Sequence, residues 1–557
     1  MKKGMRRVIG FLLALALVIT SGVLPQGASA KTKKVKLNKS KATIKVGKTV
    51  KLKVNNAPKK AKVKWSVNKK AVATVTKKGV VKGKKAGKAK VTAKVTYKNG
   101  KKKVTKKLKC TVTVKKAASS STATPTPTAS AQASASAAPV ASASPLVVPT
   151  IDVPTIKRTE ERINSETGEK ETVTKEIISY DDGTVKKDVD SITLISEYMG
   201  QGINLGNTLE ASLAATDRQT ARDNIDVSAF ETAWGAPVTT QEMIDGYKSY
   251  GFNTVRIPVA WSNMIDENDP EYKINDAFMN RVEEVVNYCL NDEMYVILNI
   301  HWDSGWWSQF GQSDEWRAKA HARYESFWTQ ISERFKDYSD RLIFESANEE
   351  FCDAFNHEID EYGYRASTIE TGTLTVDEQY ELANELNQKF VDIVRASGGN
   401  NEYRHLLLAG FCTNFEKTCD DRFKMPTDPK NEGVNKLSVS VHYYTPWGYC
   451  GDGQTKTEWG TDAERQEMIE QFNLMRKFTD AGYGVMIGEY GVCVAQHNNI
   501  PDYIRAVTTR CRINKFLPVL WDTPGLYYNR KKCKMRYADI GELFNSLTDS
   551  NGDTTSV

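Results

Sequence analysis

Aspartate and glutamate are absent from residues 31–116, although this stretch contains 33 lysines. All 68 acidic residues lie after position 116, where they outnumber 41 lysines and arginines and give a net charge of −27. The formal net charge of +10 for the whole chain therefore conceals two parts of opposite sign. Because each sign attracts the other, we expect the two parts to meet different partners.

Long apolar runs are also missing beyond the first residues. Four basic residues within the first seven precede an apolar run from Val8 to Ile19, and Ala28-Ser29-Ala30 supplies small residues before Lys31. The run is too short to span a bilayer comfortably, and its flanks are those of an export signal. We predict that residues 1–30 are a signal peptide. The mature protein is then secreted, extracellular or associated with the cell wall, and is not an integral membrane protein.

Metal-binding patterns are scarce as well. The chain has 6 histidines and 9 cysteines, with no His-x-x-x-His or Cys-x-x-Cys spacing and no nucleotide-binding glycine loop. We therefore expect neither a metal ion nor an organic cofactor. Nine is an odd number of cysteines for an exported protein, and both a Cys412–Cys419 bridge and buried free thiols are compatible with the sequence.

Period-two alternation dominates residues 31–116. Segments such as "KVKWSV" and "KLKCTVTV" alternate apolar residues with Lys or Thr, and glycine or asparagine separates them. This pattern predicts a small all-β antiparallel sandwich. Trp65, "AVATVTKKGVVKG" and "AGKAKVTAKV" resemble the group 2 bacterial immunoglobulin-like domain. Such a module is either a spacer or a binder. The lysines favour binding to anionic cell-wall polymers, and no aromatic base-stacking pattern points to nucleic acid.

Two connecting stretches follow the predicted sandwich. Residues 117–151 consist almost wholly of Ala, Ser, Thr, Pro and Val and carry no charge, which indicates a linker. Residues 152–190 are charged and contain the strand-like "ETVTKEIISY" and a turn at Asp181-Asp182-Gly183. We predict a hairpin in this flanking segment and assign it no chemistry.

From residue 191 onward, short apolar strands alternate with helical patterns. The predicted strands are "GINLGNT", "TVRIPVAW", "YVILNIHW", "LIFESANE", "HLLLAGF", "LSVSVHYYT", "GVMIGEYGV" and "PVLWDTP". The predicted helices cover 240–250, 275–292, 315–338, 376–397, 461–482 and 500–515. Strands that alternate with helices form a parallel sheet, and eight of them fit an α/β fold of the (β/α)8 barrel type over residues 191–557. The surplus length falls at 350–375 and 445–460.

Polar and ionisable residues stand at the carboxyl ends of these predicted strands, where barrel active sites form. They are Arg256, His301, Asn348, Glu349, His442, Tyr444, Glu489 and Trp521. Eight converging positions are hard to explain as accidental surface, so we predict that they share one site.

Glu349 and Glu489 suit glycoside hydrolysis. One protonated carboxyl assists the leaving oxygen, and one ionised carboxylate attacks the anomeric carbon. We expect Arg256 and Tyr444 to stabilise Glu489 as a carboxylate, whose charge keeps Glu349 protonated. Glu350 adjoins Glu349, but strand alternation directs it to the opposite side.

Residues 191–545 resemble glycoside hydrolase family 5. The resemblance rests on "GINLGNTLEA", "WGAPVTTQEMI", "GFNTVRIPVAW", "LIFESANEE", "HYYTPW" and "IGEYG". It implies that Glu349 is the acid/base, that Glu489 is the nucleophile and that the anomeric configuration is retained. It also implies supporting positions around the −1 sugar at Arg256, His301, Asn348, His442, Tyr444 and Trp521. Among these, Asn348 would bond the 2-hydroxyl and Trp521 would form a stacking floor.

Aromatic residues near the strand ends fit a sugar-binding cleft, because the faces of pyranose rings are apolar. They are Trp234, Trp261, Trp302, Trp306, Trp307, Tyr443 and Trp447. Trp306 and Trp307 are favoured because "SGWW" is typical of a loop, and Asn207 joins them as a predicted substrate-binding residue.

The sequence thus predicts a secreted, retaining endo-β-1,4-glucanase that acts as a monomer on β-glucan. A β-mannanase, xyloglucanase or lichenase on the same fold remains an alternative, because the fold does not determine the sugar. A non-catalytic carbohydrate-binding surface protein is the alternative of a different class.

Overall fold

In the computed structural model, the described residues are 35–115, except 40, 46–48, 59–60, 77–78 and 100–101, and 153–549, except 452–454 and 495–497. The predicted signal peptide and linker lie outside them. The chain divides into two compact units, residues 1–147 and 148–557, and each is described by itself. Within the described ranges, no helix has the length and apolarity needed to cross a membrane.

The N-terminal unit is a sandwich of short strands. They are β1 Lys36–Leu37, β2 Lys41–Lys45, β3 Thr49–Lys51, β4 Val54–Asn55, β5 Lys62–Val67, β6 Ala73–Val75, β7 Val80–Gly83, β8 Gly87–Asn99 and β9 Lys102–Lys115. One sheet has the order β2-β9-β8-β5 and another β3-β7-β6. Their inner faces share a core that includes Leu52, Val81, Val91 and Val112, with Trp65 packed against it.

Strand direction and the placement of lysines complete this unit. β8 pairs with β5 and with β9 in the antiparallel sense, but β2 runs parallel to β9. This departs from the antiparallel prediction because period-two alternation defines the face of each residue and not the direction of the neighbouring strand. Lys64, Lys94 and Lys107 are direct neighbours across β5, β8 and β9, and all three are exposed.

Residues 152–190, for which a hairpin was predicted, contain β10 (Thr155–Ile163) paired antiparallel with β11 (Lys170–Ile178). The chain reverses between Asn164 and Glu169, and not at residues 181–183. The Asp181 carboxylate instead accepts a hydrogen bond from the Ser339 backbone at 2.9 Å, which ties this segment to the rest of the unit. β10 was not predicted as a strand of its own, because charged residues occupy most of its positions.

The second unit is a closed barrel. Its strands are β12 Gln201–Asn204, β13 Phe252–Ile257, β14 Tyr295–Asn299, β15 Leu342–Glu345, β18 Leu406–Ala409, β19 Leu437–Tyr443, β20 Gly484–Tyr490 and β21 Phe516–Leu520, in that order around the barrel. All neighbouring pairs are parallel, including β21 with β12. Ile297, Ile343, Leu407, Met486 and Val519 belong to one buried cluster. The predicted (β/α)8 fold is confirmed.

Helices surround the strands at nearly the predicted positions. They are α1 Ser191–Thr193, α2 Ala215–Asp223, α3 Val227–Glu231, α4 Gln241–Ser249, α5 Asp276–Asn291, α6 Asp314–Phe335, α7 Val376–Ala396, α8 Phe415–Thr418, α9 Trp447–Cys450, α10 Asp462–Leu474, α11 Arg476–Asp480, α12 Ile500–Asn514 and α13 Ala538–Asp549. Thr375 begins α7 and Thr461 begins α10 with reciprocal hydrogen bonds to the third helical residue. These capping boxes stabilise the N-termini of both helices at or next to the residues where the helices were predicted to begin.

The surplus segments lie after the carboxyl ends of the strands. Between β15 and β18 the chain forms a short hairpin of β16 (His357–Ile359) and β17 (Arg365–Glu370), with β22 (Tyr528–Asn529) and β23 (Lys534–Met535) near the C-terminus. A buried segment, Asp303–Gly311, follows β14 and packs against the β16–β17 region. These segments enclose the end of the barrel where the predicted site residues lie.

Candidate active site

Arg256, on β13, is fully buried and donates hydrogen bonds to four side chains, three of which are at the carboxyl ends of β15 and β20 or just beyond them. Its Nε donates to Glu345 at 2.7 Å, one Nη to Glu489 at 2.8 Å and the other Nη to Asn348 at 2.9 Å. Carboxylates that meet a buried guanidinium compensate its charge, and removal of one of them is strongly destabilising. Arg256 therefore fixes where the Glu489 carboxylate lies.

Glu349 and Glu489 face each other next to His442. One carboxylate oxygen of each glutamate and one ring nitrogen of His442 all lie within 4.8 Å of one another. His442 Nδ1 is 2.7 Å from Glu349 Oε1 and 3.7 Å from Glu489 Oε2. The Tyr444 hydroxyl donates to Glu489 Oε2 at 3.0 Å. The Glu349 side chain is 36% exposed and that of Glu489 only 7%, so Glu349 is open to solvent above a buried Glu489.

Burial and charged side chains from other strands shift the pKa values of both glutamates. Burial raises the pKa of Glu349, but the hydrogen bond with His442 and the charges of His442, Arg256 and Arg365 together outweigh it, and the net pKa is lowered. Burial raises the pKa of Glu489 more strongly than the charges of His442 and Arg256 lower it. The sequence does not show that His442 contacts Glu349, so the lowered pKa of Glu349 was not predicted.

Glu350 is buried while its neighbour Glu349 faces the cleft, as predicted, although both lie beyond the end of β15 and strand alternation is not the reason. Burial, and next the charge of Glu349, raise the pKa of Glu350 to about 8. The Glu350 carboxyl is therefore largely protonated at neutral pH and does not compete with Glu349 for the cleft.

His301 and Trp521 border the same site. Their rings lie 4° from parallel with centroids 6.0 Å apart. Burial, and next the charge of Arg256, lower the pKa of His301 well below its usual value, so its imidazole is neutral. A Cβ atom at Gly206 would come within 3.0 Å of the Trp521 ring. Glycine at this position therefore allows the half-buried indole to cover the end of β12.

Asn207 lies beside this site in a left-handed backbone conformation, with φ of 56°. Its backbone N–H donates to the Glu210 carboxylate, which also accepts from the Thr208 N–H at 2.8 Å. Burial raises the pKa of Glu210 to about 7. Glu210 thus holds the turn that presents the half-buried Asn207, and sequence reasoning did not identify it.

Trp306 and Trp307 do not line the cleft, and their prediction as sugar-binding residues was wrong. Both are fully buried, and their rings stack on each other 4.3 Å apart. Their indole N–H groups donate to the Asp303 carboxylate and to the His301 carbonyl. Two adjacent tryptophan side chains have a large apolar area, and its exposure to water on a surface loop would be unfavourable. Both side chains are therefore part of the core.

The other predicted aromatics divide between core and cleft. Trp261 and Tyr443 are buried, whereas Trp234, Trp302 and Trp447 are partly exposed. Trp234 and Trp302 lie together with ring centroids 5.9 Å apart. This pair replaces Trp306 and Trp307 as the aromatic surface beside the site.

A second layer of polar residues was missed by sequence reasoning. Glu345 accepts from Arg256, from Asn299 at 2.9 Å and from Ser440 at 2.7 Å, and all four are buried. Asn204 accepts from Arg256 at 3.1 Å. Glu345 and Asn299 each end a short strand that is otherwise apolar or aromatic, which is a signal that could have identified these two.

The Glu349, His442 and Glu489 atoms are close enough together to be ligands of a small cation. Arg256 already places a positive charge 2.8 Å from Glu489, and the Tyr444 hydroxyl occupies its second oxygen. The donor set is therefore satisfied by protein groups, and the arrangement matches acid–base and nucleophilic chemistry by two carboxyl groups.

A (β/α)8 barrel that holds two facing carboxyl groups at the carboxyl ends of its fourth and seventh strands has the architecture of a glycoside hydrolase. The family described as cellulase (glycosyl hydrolase family 5) matches residues 218–524. The chain belongs to this family. Residues 31–112 match the bacterial Ig-like domain (group 2), which confirms the second resemblance.

Relatives support the assignment. Endoglucanase A of Paenibacillus barcinonensis is 34% identical over 59% of this chain and 81% of its own length. The xyloglucan-specific endo-beta-1,4-glucanase BoGH5A of Bacteroides ovatus is 33% identical over 61% of this chain and 66% of its own length. A GH5-4 broad specificity endoglucanase from Ruminococcus champanellensis, solved with bound cellotriose, is 31% identical, has a TM-score of 0.54 and is covered over 99% of its length by 64% of this chain.

Proposed function

We propose that this chain is a secreted, retaining endo-β-1,4-glucanase, with Glu349 as acid/base and Glu489 as nucleophile. The observation that carries the proposal is the pair of carboxyl groups within 4.8 Å at the open end of the barrel. Retaining enzymes hold their carboxyl groups about 5–5.5 Å apart, and inverting enzymes roughly 6.5–9.5 Å. Endoglucanase names among the relatives supply the substrate class.

The reaction runs in two displacements. In the first, Glu489 Oε2 or Oε1 bonds to the anomeric carbon while Glu349 gives its proton to the glycosidic oxygen, and the reducing-end fragment leaves. In the second, Glu349 accepts a proton from water as the water oxygen bonds to the anomeric carbon, and the bond to Glu489 breaks. Both carboxyl groups return to their starting states.

The surrounding residues position these groups. Arg256 and Tyr444 hold the Glu489 carboxylate from two sides, at 2.8 Å and 3.0 Å, which fixes the attacking oxygen. Asn348, held by Arg256 at 2.9 Å, is placed to bond the 2-hydroxyl of the −1 sugar. Trp521 forms the floor beneath that sugar, and Asn207 together with Trp302 extends the contact surface.

His442 sets the protonation of the acid. His442 Nδ1 and Glu349 Oε1 share a 2.7 Å hydrogen bond, which holds Glu349 in the position from which it delivers a proton to the glycosidic oxygen. The contact lowers the pKa of Glu349, which makes the alkaline limb of the pH profile dependent on His442.

The substrate assignment is tested by release of reducing ends from carboxymethylcellulose, xyloglucan, lichenan and mannan. We expect hydrolysis of the β-1,4-glucans at rates well above that of mannan. Faster cleavage of mannan would make the protein a β-mannanase. Binding of glucan without any cleavage would make it a carbohydrate-binding surface protein. NMR of the first product should show the β-anomer, and an initial α-anomer would refute the retaining mechanism.

The domain organisation serves an extracellular role in this proposal. Residues 1–30 direct export, residues 31–116 bind anionic cell-wall polymers, and residues 117–151 and 152–190 connect them to the catalytic domain at 191–557. Lys64, Lys94 and Lys107 support the wall-binding role, because like charges on adjacent strands are destabilising unless a partner of opposite charge meets them. The enzyme acts as a monomer and needs no cofactor.

A further inference from the structure

Two cysteines meet directly behind Glu349. Cys352 follows the end of β15 and Cys412 follows the end of the neighbouring strand β18. The backbone N–H of Cys412 donates to the Phe351 carbonyl at 2.9 Å, which brings the two segments side by side. The two sulfur atoms and one carboxylate oxygen of Asp353 all lie within 4.8 Å of one another.

The two thiols differ in accessibility and in charge environment. Cys412 is partly exposed, and the ammonium of Lys417 lies 3.7 Å from its sulfur. The hydrogen bond with Cys352 lowers the pKa of Cys412, burial opposes this, and Lys417 lowers it further. A thiolate next to an ammonium group is the reactive form of cysteine. Cys412 is therefore the thiol that an external reagent reaches first.

Cys352 is fully buried and cannot meet such a reagent. Its thiol donates to the Glu349 carbonyl at 3.3 Å and lies within reach of the Cys412 sulfur. The hydrogen bond with Cys412, and next burial, raise the pKa of Cys352. An accessible thiolate beside a protected thiol is the arrangement in which a mixed disulfide is resolved internally.

We propose that Cys352 and Cys412 are a modification site that forms a reversible disulfide between the ends of β15 and β18. The Cys412 thiolate attacks one sulfur of a small-molecule disulfide, and one thiolate of that reagent leaves. The Cys352 thiol then loses its proton and attacks the Cys412 sulfur, which releases the second thiolate. The two cysteines lose two electrons and two protons in total, and the small-molecule disulfide is reduced to two thiols.

Two other arrangements fit the structure less well. The Cys412–Cys419 bridge that the sequence allowed is not formed, because the Cys419 sulfur lies against Leu474 and Met475. A thiophilic cation held by both cysteines and Asp353 would have only three protein ligands from this cluster and would adjoin the Lys417 ammonium. Positive charge at that position favours a thiolate and disfavours a metal ion.

Formation of the disulfide joins residues 60 positions apart and removes the thiol that donates to the Glu349 carbonyl. A cross-link over a loop of this length restricts the unfolded chain and raises the melting temperature. The reduced and oxidised forms should therefore differ in thermal stability, and dithiothreitol should interconvert them.

The test uses the full chain incubated with oxidised glutathione. Peptide mass spectrometry without reduction should find the Cys352–Cys412 cross-linked peptide, and Tm should rise by roughly 5 °C. Cys412→Ser and Cys352→Ser should each abolish both changes. The matched control is Cys419→Ser, which removes a partly exposed thiol seven positions from Cys412 and should leave both changes intact.

Three results would overturn the proposal. The first is full alkylation of both thiols after oxidation of the wild-type chain, a readout that requires no variant to fold. The second is loss of the Tm shift in Cys419→Ser, which would assign Cys412 to the other partner. The third is thiol protection that EDTA reverses and dithiothreitol does not, which would identify a metal site.

Discussion

In the sandwich, lysines such as Lys64, Lys94 and Lys107 stand exposed on adjacent strands, and residues 31–116 contain no acidic partner for them. In the barrel, Arg256 is fully buried between Glu345 and Glu489. The same kind of charge therefore has opposite surroundings in the two units. An exposed cation acts at a distance and is screened by salt, whereas a buried pair acts through fixed geometry.

This difference predicts which substitutions affect turnover and which affect wall binding. Removal of a buried charge in the barrel leaves its partner uncompensated and disturbs the chemistry at every ionic strength. Removal of an exposed lysine changes only the attraction to an anionic partner, in proportion to the number of charges removed. Substitutions in the two units should therefore separate turnover from wall binding.

The largest loss should follow substitution of the two glutamates. Glu489→Ala should reduce turnover to background because no nucleophile remains. Glu349→Gln should lose about 10²–10⁴ on substrates with poor leaving groups, since acid assistance is removed. External azide should partly rescue Glu349→Ala by attacking the glycosyl-enzyme. Initial rates on aryl cellobiosides with good and poor leaving groups measure these effects.

Glu350→Gln is the matched control for this experiment. Glu350 adjoins Glu349 but is buried, and its raised pKa makes it largely neutral, so an amide replaces it with little change in charge. Turnover should stay near that of the wild type. A loss in Glu350→Gln equal to that of Glu349→Gln would mean that the acid has been assigned to the wrong residue.

The next largest effect should come from Glu345→Gln. Arg256 would lose one of its two carboxylates, so the free energy of unfolding should fall by about 3–5 kcal/mol. Glu489 would then be the sole carboxylate opposite Arg256, and the acid limb of kcat/KM should move to lower pH. Denaturant titration and a pH profile measure the two effects. A less stable protein with an unmoved acid limb would limit Glu345 to a structural role.

Glu345 also shows where sequence reasoning stops. The eight barrel strands and six main helices were predicted because alternation of short apolar strands with amphipathic helices is a local pattern. The residues at strand ends followed from the rule for barrel active sites. Glu345, Asn299 and Ser440 are within strands, and Asn299 and Ser440 are linked to Arg256 only through Glu345. Their contacts depend on the order of strands around the barrel, which no local pattern contains.

Side-chain burial was the other property that the local sequence pattern did not predict. "SGWW" resembles a loop, yet Trp306 and Trp307 are core because the β16–β17 hairpin packs over their segment. The lowered pKa of Glu349 was not predicted for the same reason, since it depends on a contact with His442 from another strand. The position of the candidate residues at the ends of the strands was predictable, and their exposure and their contacts with other strands were not.

Trp302 and Trp307 provide a smaller test of the same distinction between exposed and buried side chains. Trp302→Ala removes a partly exposed ring beside Trp234 and should raise KM about fivefold, which corresponds to about 1 kcal/mol of binding. Trp307→Ala should leave KM near the wild-type value but lower the free energy of unfolding by about 3–5 kcal/mol. A raised KM in Trp307→Ala together with a lowered free energy of unfolding in Trp302→Ala would show that the cleft lies on the other side of this segment.

His442→Asn should change the pH profile more than the maximal rate. The hydrogen bond with His442 lowers the pKa of Glu349, so its loss raises that pKa and moves the alkaline limb of kcat/KM to higher pH. The charge of His442 also lowers the pKa of Glu489, so the acid limb should move in the same direction. We expect shifts of about one pH unit. A shift to lower pH would contradict the assignment of His442 as the group that lowers both values.

The smallest effect on turnover should come from the sandwich itself. A chain that lacks residues 31–116 should hydrolyse soluble glucan within about twofold of the wild-type rate, because its charges act only on partners of opposite sign. The same chain should lose binding to purified cell walls.

In the full chain, wall binding should weaken as NaCl rises, since each basic residue near an anionic surface contributes about 1 kcal/mol that salt screens. Substitution of Lys64, Lys94 and Lys107 by Gln should weaken binding, and substitution of the same three by Arg, which keeps the charge, is the matched control. Removal of teichoic acid from the walls should have the same effect as the Gln variant. Binding that does not depend on salt or wall phosphate, or a preference for uncharged cellulose, would show that the sandwich is a spacer or a glucan binder. Either result would contradict the proposed difference between the two units.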